Sequence, residues 1–130
     1  SALLEKKKLN NNASIVFVAS HAATSPALGN AVYSASKGAI ISYANCLALE
    51  LAPRGIRVNC ISPAMVWTDM ITKEGFDFQT LKEDEKFYPL GRYGTPEDIS
   101  PLAVYLLSNA SKWMTTSNLK ITGGGELSPL

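Results

Sequence analysis

Two short apolar runs rich in β-branched residues constrain the fold of this chain more than any other feature of the sequence. Residues 14–19 (SIVFVA) have the composition of a strand buried on both faces, and residues 56–62 (IRVNCIS) are again strand-like. Between them, residues 31–52 have the alanine, leucine and isoleucine content of a helix, which Pro53 and Gly55 end. A strand, a helix and a strand in this order normally give parallel strands with a right-handed crossover. The chain is therefore predicted to be an α/β protein.

The rest of the sequence extends this pattern. Residues 63–94 mix aromatic and charged side chains with glycines, which predicts a long excursion that holds short helices. Thr95 and Pro96 resemble the N-cap and first turn of a helix that continues through residues 99–107. Residues 118–122 are the last strand candidate, and three glycines follow them.

Composition narrows the class of protein. A chain of 130 residues with 46% hydrophobic content is long enough for one globular domain, or a piece of one. A formal net charge of +1 gives no electrostatic footprint for nucleic acid, and no apolar run approaches the length that spans a bilayer. Cys46 and Cys60 lie in hydrophobic segments without metal-ligand spacing, so we expect buried thiols, no metal site and a reducing, cytoplasmic setting.

The stretch NAVYSASKGAIIS carries the candidate chemistry. Tyr33 and Lys37 are four positions apart, which on a helix is a rise of about 6 Å and the same face. An ammonium beside a phenol favours proton exchange near neutral pH. Ser20 ends the first strand, where its hydroxyl can hold an oxygen at the edge that ligands use in such sheets. The set suits a carbonyl-alcohol interconversion, for which a nicotinamide cofactor must carry the hydride.

Spacing alone favours a simpler explanation of this pair. An ordinary amphipathic helix also places a solvated Lys one turn from a half-buried Tyr, and short motifs of this kind arise by chance. Longer motifs decide between the two explanations. The sequence SIVFVASHAATSPALGNAVYSASKGAIISYANCLALELAPRGIRVNCISPAMVWTDM resembles the core of the short-chain dehydrogenase/reductase family, and PLGRYGTPEDIS and LKITGGG follow in the family's order. The resemblance covers nearly the whole chain and looks closest to members of the 3-oxoacyl-[acyl carrier protein] reductase type.

The resemblance implies the C-terminal half of a doubly wound, Rossmann-like parallel sheet with flanking helices, in an NAD(P)-dependent oxidoreductase. It implies that Tyr33 donates and accepts the proton, that Lys37 makes the phenol more acidic and holds the nicotinamide ribose, and that Ser20 orients the substrate carbonyl. The residues that match the nicotinamide-lining segment are Pro63, Ala64, Val66 and Thr68. A small carbonyl or alcohol substrate and a homodimer or homotetramer are also implied.

The stretch 66–88 matches the loop that covers the substrate in the family. Its apolar residues suit either an apolar substrate or internal packing, and they are Trp67, Met70, Phe76 and Phe78. The chain departs from the family pattern at Ala19, Ala64 and Thr122, and none of these changes removes a predicted catalytic group.

A larger departure concerns the cofactor. The family's Gly-x-x-x-Gly-x-Gly turn, whose helix receives the pyrophosphate, does not occur in this sequence. Residues 2–8 (ALLEKKK) resemble the tail of a helix, so residues 1–130 are expected to be a partial domain without the N-terminal dinucleotide-binding half. The alternative is a catalytically inactive fragment that acts only as an oligomerisation or assembly module. The small residues that suit close helix contact in that case are Ala39, Ser42, Ala44 and Ala48.

Overall fold

The computed structural model describes residues 9–25, 27–73, 75 and 77–125. Within these ranges the elements in chain order are β1 (Ser14–Val18), α1 (Ala31–Leu51), β2 (Arg57–Pro63), α2 (Asp69–Lys73), α3 (Phe78–Asp84), α4 (Pro96–Leu107) and β3 (Asn118–Ile121). None of these described helices combines the length and the apolar content that crossing a bilayer requires. The predicted helix tail at residues 2–8 and the side chain of Phe76 lie outside the described residues.

The three strands form one parallel sheet in the order β1-β2-β3. Ser14 of β1 lies opposite Arg57 of β2, and Cys60 of β2 lies opposite Asn118 of β3. Helix α1 connects the first two strands, so the predicted strand-helix-strand unit with parallel strands is confirmed. The predicted ends of the three strands and of α1 differ from the observed ends by one residue at most.

Burial differs between the two predicted core strands. Every residue from Val58 to Ser62 in β2 is buried, because β2 has a paired strand on each side. Strand β1 is only partly buried, and 54% of the Val18 side chain is exposed. The prediction that β1 is buried on both faces is therefore wrong for the described residues. Among them β1 pairs with β2 alone and forms an edge of the sheet.

Helix α1 packs one face against the sheet. The buried residues of that face are Ala44, Leu47, Ala48 and Leu51, and they form the main core with Ile56, Val58 and Cys60. Ala44 and Ala48 are thus used for packing within the chain, where their small side chains let the helix lie close to the sheet. Of the small residues singled out for contact with a partner, only Ala39 and Ser42 are exposed.

The two cysteines have different environments. Cys60 is buried in β2 as predicted, and burial raises the pKa of its thiol. Cys46 lies on the outer side of α1 and is exposed, so the prediction of burial is wrong for this residue. Both are free cysteines.

Helix α4 begins where the sequence predicts. The carboxylate of Asp98 accepts hydrogen bonds from the backbone N–H and the hydroxyl of Thr95, at 2.8 and 3.3 Å. Arg92 donates two hydrogen bonds to the same carboxylate, at 2.6 and 3.0 Å. The Arg92 guanidinium holds the pKa of the Asp98 carboxyl well below its usual range, so this cap stays charged. The helix continues past Pro101 to Leu107.

The excursion between β2 and α4 has a small core of its own. It holds the short helices α2 and α3, which confirms the prediction of short helices in this region. Ile71, Leu81 and Tyr93 are buried together, and Trp67 and Tyr88 pack against them. The rings of Trp67 and Tyr93 have centroids 5.4 Å apart. Burial raises the pKa of the Tyr93 phenol far above its ordinary value, so this hydroxyl stays neutral.

Buried polar side chains join β2 to the segment that leads into β3. Asn59 is 1% exposed, donates from Nδ2 to the carbonyl of Met114 at 2.9 Å, and accepts from the N–H of Ser117 at 3.0 Å. The buried Ser62 hydroxyl donates to Oδ1 of Asn118 at 2.6 Å. Because these groups are paired, β3 is tied to β2 by side chains as well as by the strand ladder.

Replacing Asn59 by Leu keeps a similar volume and removes both hydrogen bonds. The partly buried N–H of Ser117 then loses its acceptor, so the free energy of unfolding is expected to fall by about 1–3 kcal/mol. Urea unfolding of the protein measures this change. Asn109→Leu, at an exposed position, is the control and should shift stability by less than about 0.5 kcal/mol. Equal losses in the two variants would contradict the role given to Asn59.

Candidate active site

The carboxyl ends of β1 and β2 lie side by side. The pairing of the two strands runs to Val18 and Ile61, and the N–H of Ala19 donates to the carbonyl of Ile61 at 2.8 Å. Ser20 follows directly on one strand, and Pro63 ends the other. These two predicted site residues therefore leave the sheet at the same edge, which is where parallel α/β sheets bind ligands.

Ser20 caps a short 3₁₀ turn at residues 21–23. Its Oγ accepts a hydrogen bond from the N–H of Ala22 at 3.2 Å. A serine hydroxyl is one donor as well as an acceptor, so the proton of Ser20 remains available to an oxygen beyond the sheet edge. The turn packs against α1, since the carbonyl oxygen of Ala23 lies 3.9 Å from the position that a Cβ on Gly38 would occupy.

Tyr33 and Lys37 lie on the first two turns of α1. The ammonium Nζ of Lys37 is 5.8 Å from the centroid of the Tyr33 ring, within the range of a cation–π contact. The two side chains therefore project from the same face of α1, as their spacing predicts. Tyr33 is 38% exposed, so a ligand can reach its phenol. The Ser20 turn packs on α1 next to the turn that holds Lys37, because Ala23 of that turn lies beside Gly38.

The four predicted nicotinamide-lining residues belong to one segment, Pro63 to Thr68, which leaves the end of β2. The N–H of Ala64 donates to the carbonyl of Ile121 at 3.2 Å, which anchors the segment to β3. Val66 is paired in parallel with Gly94, and the carbonyl of Thr68 accepts from the first turn of α2. All four side chains are partly exposed, so the segment is held by its backbone and can present them to a ligand.

The apolar residues predicted to face a substrate or to pack divide between these two roles. Trp67 packs on Tyr93, and its indole N–H donates to Oε1 of Glu85 at 2.5 Å. Met70 and Phe78 are exposed by 52% and 60%, although the Phe78 ring also touches Trp67 with centroids 5.7 Å apart. Packing accounts for Trp67, whereas Met70 and Phe78 have surface to offer to a ligand.

A cavity of about 290 Å³ lies beside the first turn of α1. Its walls are mostly alanine methyl groups, and the lining residues are Ala22, Ala23, Thr24, Ala27, Ala31 and Ser34. Among the described residues the Oγ of Ser34 and the Nδ1 of His21 are buried without a hydrogen-bond partner. The cavity therefore lies between the Ser20 turn and the first turn of α1. No motif in the sequence marks Ser34 or the buried Glu85, because a serine or a glutamate in a helix is usually exposed.

Comparisons with known proteins agree with this geometry. A family model described as enoyl-(acyl carrier protein) reductase matches residues 2–126. The chain is 41% identical over 113 residues to the 3-oxoacyl-[acyl-carrier-protein] reductase FabG of Chlamydia pneumoniae, covering 85% of this chain and 44% of that protein. It is 39% identical over 110 residues to an NAD-dependent glycerol dehydrogenase of Listeria innocua, covering 85% and 43%.

Solved structures show the same relationship. A short-chain dehydrogenase family protein from Francisella tularensis superposes with a TM-score of 0.83 at 36% identity, covering 95% of this chain and 55% of that one. A short-chain dehydrogenase/reductase from Brucella melitensis, named glucose/ribitol dehydrogenase, gives 0.82 at 35% identity, covering 92% and 47%. The described sheet and helices therefore belong to a Rossmann-like α/β fold.

The chain spans less than half the length of the curated relatives given above. Its match nevertheless includes the strand edge, the start of α1 and the segment after β2. On the matched family model, the relatives and the shared fold, the chain belongs to the short-chain dehydrogenase/reductase family of oxidoreductases.

Proposed function

We propose that this chain is the catalytic half of an NAD(P)-dependent oxidoreductase that interconverts a carbonyl and an alcohol. Residues 1–130 are then a partial domain, and other residues of the complete protein supply the dinucleotide-binding half. The observation that carries the proposal is the contact of Lys37 with Tyr33 at the start of α1, the helix that follows the Ser20 turn. By itself, this half is inactive under the proposal.

In the proposed reaction, Ser20 donates a hydrogen bond to the carbonyl oxygen of the substrate and fixes its direction. Tyr33 gives its phenolic proton to that oxygen as the carbon is reduced, and takes the proton back in the reverse direction. Lys37 stabilises the negative charge that develops on the phenol oxygen during this transfer. Two hydroxyls and one ammonium form a set of donors that suits an oxygen that gains negative charge.

The residues after β2 fit a nicotinamide group. The cofactor, NAD or NADP, supplies or accepts the hydride when it is bound. Pro63, Ala64, Val66 and Thr68 would line its nicotinamide ring, and Lys37 would hold the ribose hydroxyls. The small side chain of Ala64 and the partial exposure of the whole segment leave space for a flat ring at this edge.

The proposed substrate is a small carbonyl compound or alcohol. The relatives are named for a 3-oxoacyl group on acyl carrier protein and for glycerol, so this chemistry is shared by substrates of different polarity. Exposed Met70 and Phe78 supply apolar surface on the excursion that covers the site. Two free cysteines are consistent with the proposed reducing, cytoplasmic setting.

Replacing Tyr33 by Phe removes the phenolic proton and keeps the ring. The kcat of the complete protein is expected to fall by about 10²–10⁴-fold, because general acid-base catalysis contributes about that much. Tyr43→Phe on the same helix is the matched control, since Tyr43 packs on Phe17 through its ring. Steady-state assays with NADH and NADPH measure both variants. Wild-type activity in the Tyr33→Phe variant would contradict the proposed role of Tyr33.

The isolated 130-residue chain is expected to bind nicotinamide dinucleotides weakly or not at all, in contrast to the complete protein. The physical reason is that its sequence contains no glycine-rich turn to receive the pyrophosphate. Titration followed by NADH fluorescence measures the two affinities. Circular dichroism of the same samples shows whether the isolated chain is folded. Equal affinities in folded samples would show that residues 1–130 carry a complete cofactor site.

A second candidate function is assembly without catalysis. Apolar side chains on the outer side of α1 favour it, because Val32, Tyr43 and Leu49 are exposed by 86%, 52% and 71%. These residues extend along the helix beside exposed Ala39 and Ser42, and a second copy of this chain can cover them. The same face would serve a homodimer or homotetramer of the active enzyme.

Light scattering tests whether α1 mediates association. Val32→Lys with Leu49→Lys places two charges on the outer face of α1 and is expected to convert an oligomer into a smaller species. Val104→Lys, at an exposed position of α4 that is 66% accessible, is the control. A chain that is already monomeric before substitution contradicts the assembly function, whereas dissociation with retained activity would assign α1 to the oligomer of an active enzyme.

A further inference from the structure

Glu85 is a buried carboxylate outside the proposed catalytic set. Its residue is 8% exposed, and it lies in the excursion directly after α3. Oε1 accepts hydrogen bonds from the indole N–H of Trp67 at 2.5 Å and from the backbone N–H of Tyr93 at 3.1 Å. Oε2 forms an ion pair with Nζ of Lys82 at 2.8 Å. Both carboxylate oxygens are therefore occupied by donors.

These donors keep the carboxylate charged. Burial by itself raises the pKa of Glu85, but the hydrogen bonds from Lys82, Trp67 and Tyr93 outweigh it, and the pKa lies below its ordinary value. A buried carboxylate without such partners is strongly unfavourable, so removing any one donor weakens the whole arrangement. Glu85 thus holds its partners in fixed places at neutral pH.

Two partners of Glu85, Trp67 and Tyr93, belong to backbone segments that are themselves paired. The N–H of Trp67 donates to the carbonyl of Gly94 at 2.9 Å, and the N–H of Gly94 donates to the carbonyl of Met65 at 3.0 Å. Glu85 binds the side chain of Trp67 on one segment and the backbone of Tyr93 on the other. Its carboxylate therefore links the two segments by hydrogen bonds, in addition to their backbone pairing.

The Trp67 indole is held from several directions. Nζ of Lys82 lies 4.8 Å from its ring centroid, and the Tyr93 and Phe78 rings have centroids 5.4 and 5.7 Å away. An indole with a fixed N–H and fixed ring contacts leaves its own backbone little freedom. Trp67 stands between Val66 and Thr68, so the position of its backbone sets theirs.

We infer that Glu85 is a positioning residue for the nicotinamide-lining segment, acting through Trp67 and Tyr93. This inference rests on the proposed function, which places the nicotinamide against Val66 and Thr68. Glu85 belongs to the small core of the excursion and not to the main core between α1 and the sheet. Its loss can therefore displace the segment without unfolding the sheet.

The test compares substitutions at Glu85 in the complete protein. Glu85→Leu removes both acceptor oxygens, and we expect KM for the cofactor to rise roughly tenfold, because small displacements of a binding group cost about 10–10²-fold. Glu85→Gln keeps an acceptor for Trp67 and should recover most of this loss. Glu83→Leu is the matched control, since Glu83 pairs with Lys86 on the surface of the same excursion and should leave KM unchanged.

A spectroscopic measurement separates this inference from the proposed function. The sequence has two tryptophans, and Trp113 is 98% exposed, so Trp113→Phe leaves Trp67 as the single indole. In that background Glu85→Leu should shift the indole N–H resonance and the fluorescence maximum of Trp67, whereas Glu83→Leu should not. If Glu85→Leu does not fold, Trp67→Phe removes the indole donor together with part of the ring packing, and it is expected to raise the cofactor KM in the same way.

The outcomes are distinct. If the wild-type protein neither binds nor uses a nicotinamide cofactor, the proposed function is overturned. The positioning role is then overturned as well, even if substitution of Glu85 changes the Trp67 signal. If the wild-type protein is active but Glu85→Leu or Trp67→Phe has the same cofactor KM as Glu83→Leu, only the positioning role is overturned. A raised KM with rescue by Gln and a shifted Trp67 signal supports it.

Discussion

The parallel pairing of β1 with β2 is the constraint on which the candidate site depends. The ladder extends to the last residue of β1, and the bond from Ala19 to Ile61 carries the alignment one residue further. Because the two strands end at the same level, the residues that follow them leave the sheet side by side. Since α1 must return over the sheet to connect them, its first turns also begin near that edge. The topology thus brings the Ser20 turn and the first half of α1 to the same end of the sheet.

Polar groups in the molecule fall into two kinds. In the interior, the amide of Asn59 and the carboxylate of Glu85 form hydrogen bonds with backbone and side-chain partners. These bonds hold the neighbouring segments in place. After β1 and at the start of α1, the hydroxyls of Ser20 and Ser34 can each form a further hydrogen bond. This contrast is typical of a binding region with free polar groups that is supported by a rigid, hydrogen-bonded interior.

The sequence was sufficient for the strands, for α1 and for the cap at Thr95, because their signals are local: β-branched runs, helix-forming residues and a capping pattern. It was sufficient for the shared face of Tyr33 and Lys37, which follows from helix geometry. The partial exposure of β1 and of Cys46 depends on neighbours far along the chain. Glu85 lies among Glu83 and Asp84, where a charged stretch indicates solvent, and only the folded excursion shows which carboxylate is enclosed.

The excursion between β2 and α4 has a separate core, and the N–H of Ala64 joins it to β3 through the carbonyl of Ile121. Exposed side chains of this region, such as Met70, can change without disturbing the main core between α1 and the sheet. A region with its own core can therefore accumulate substitutions while the strands and α1 keep their packing. Such independence offers a physical reason why one scaffold appears in enzymes named for a 3-oxoacyl-[acyl-carrier-protein] and for glycerol.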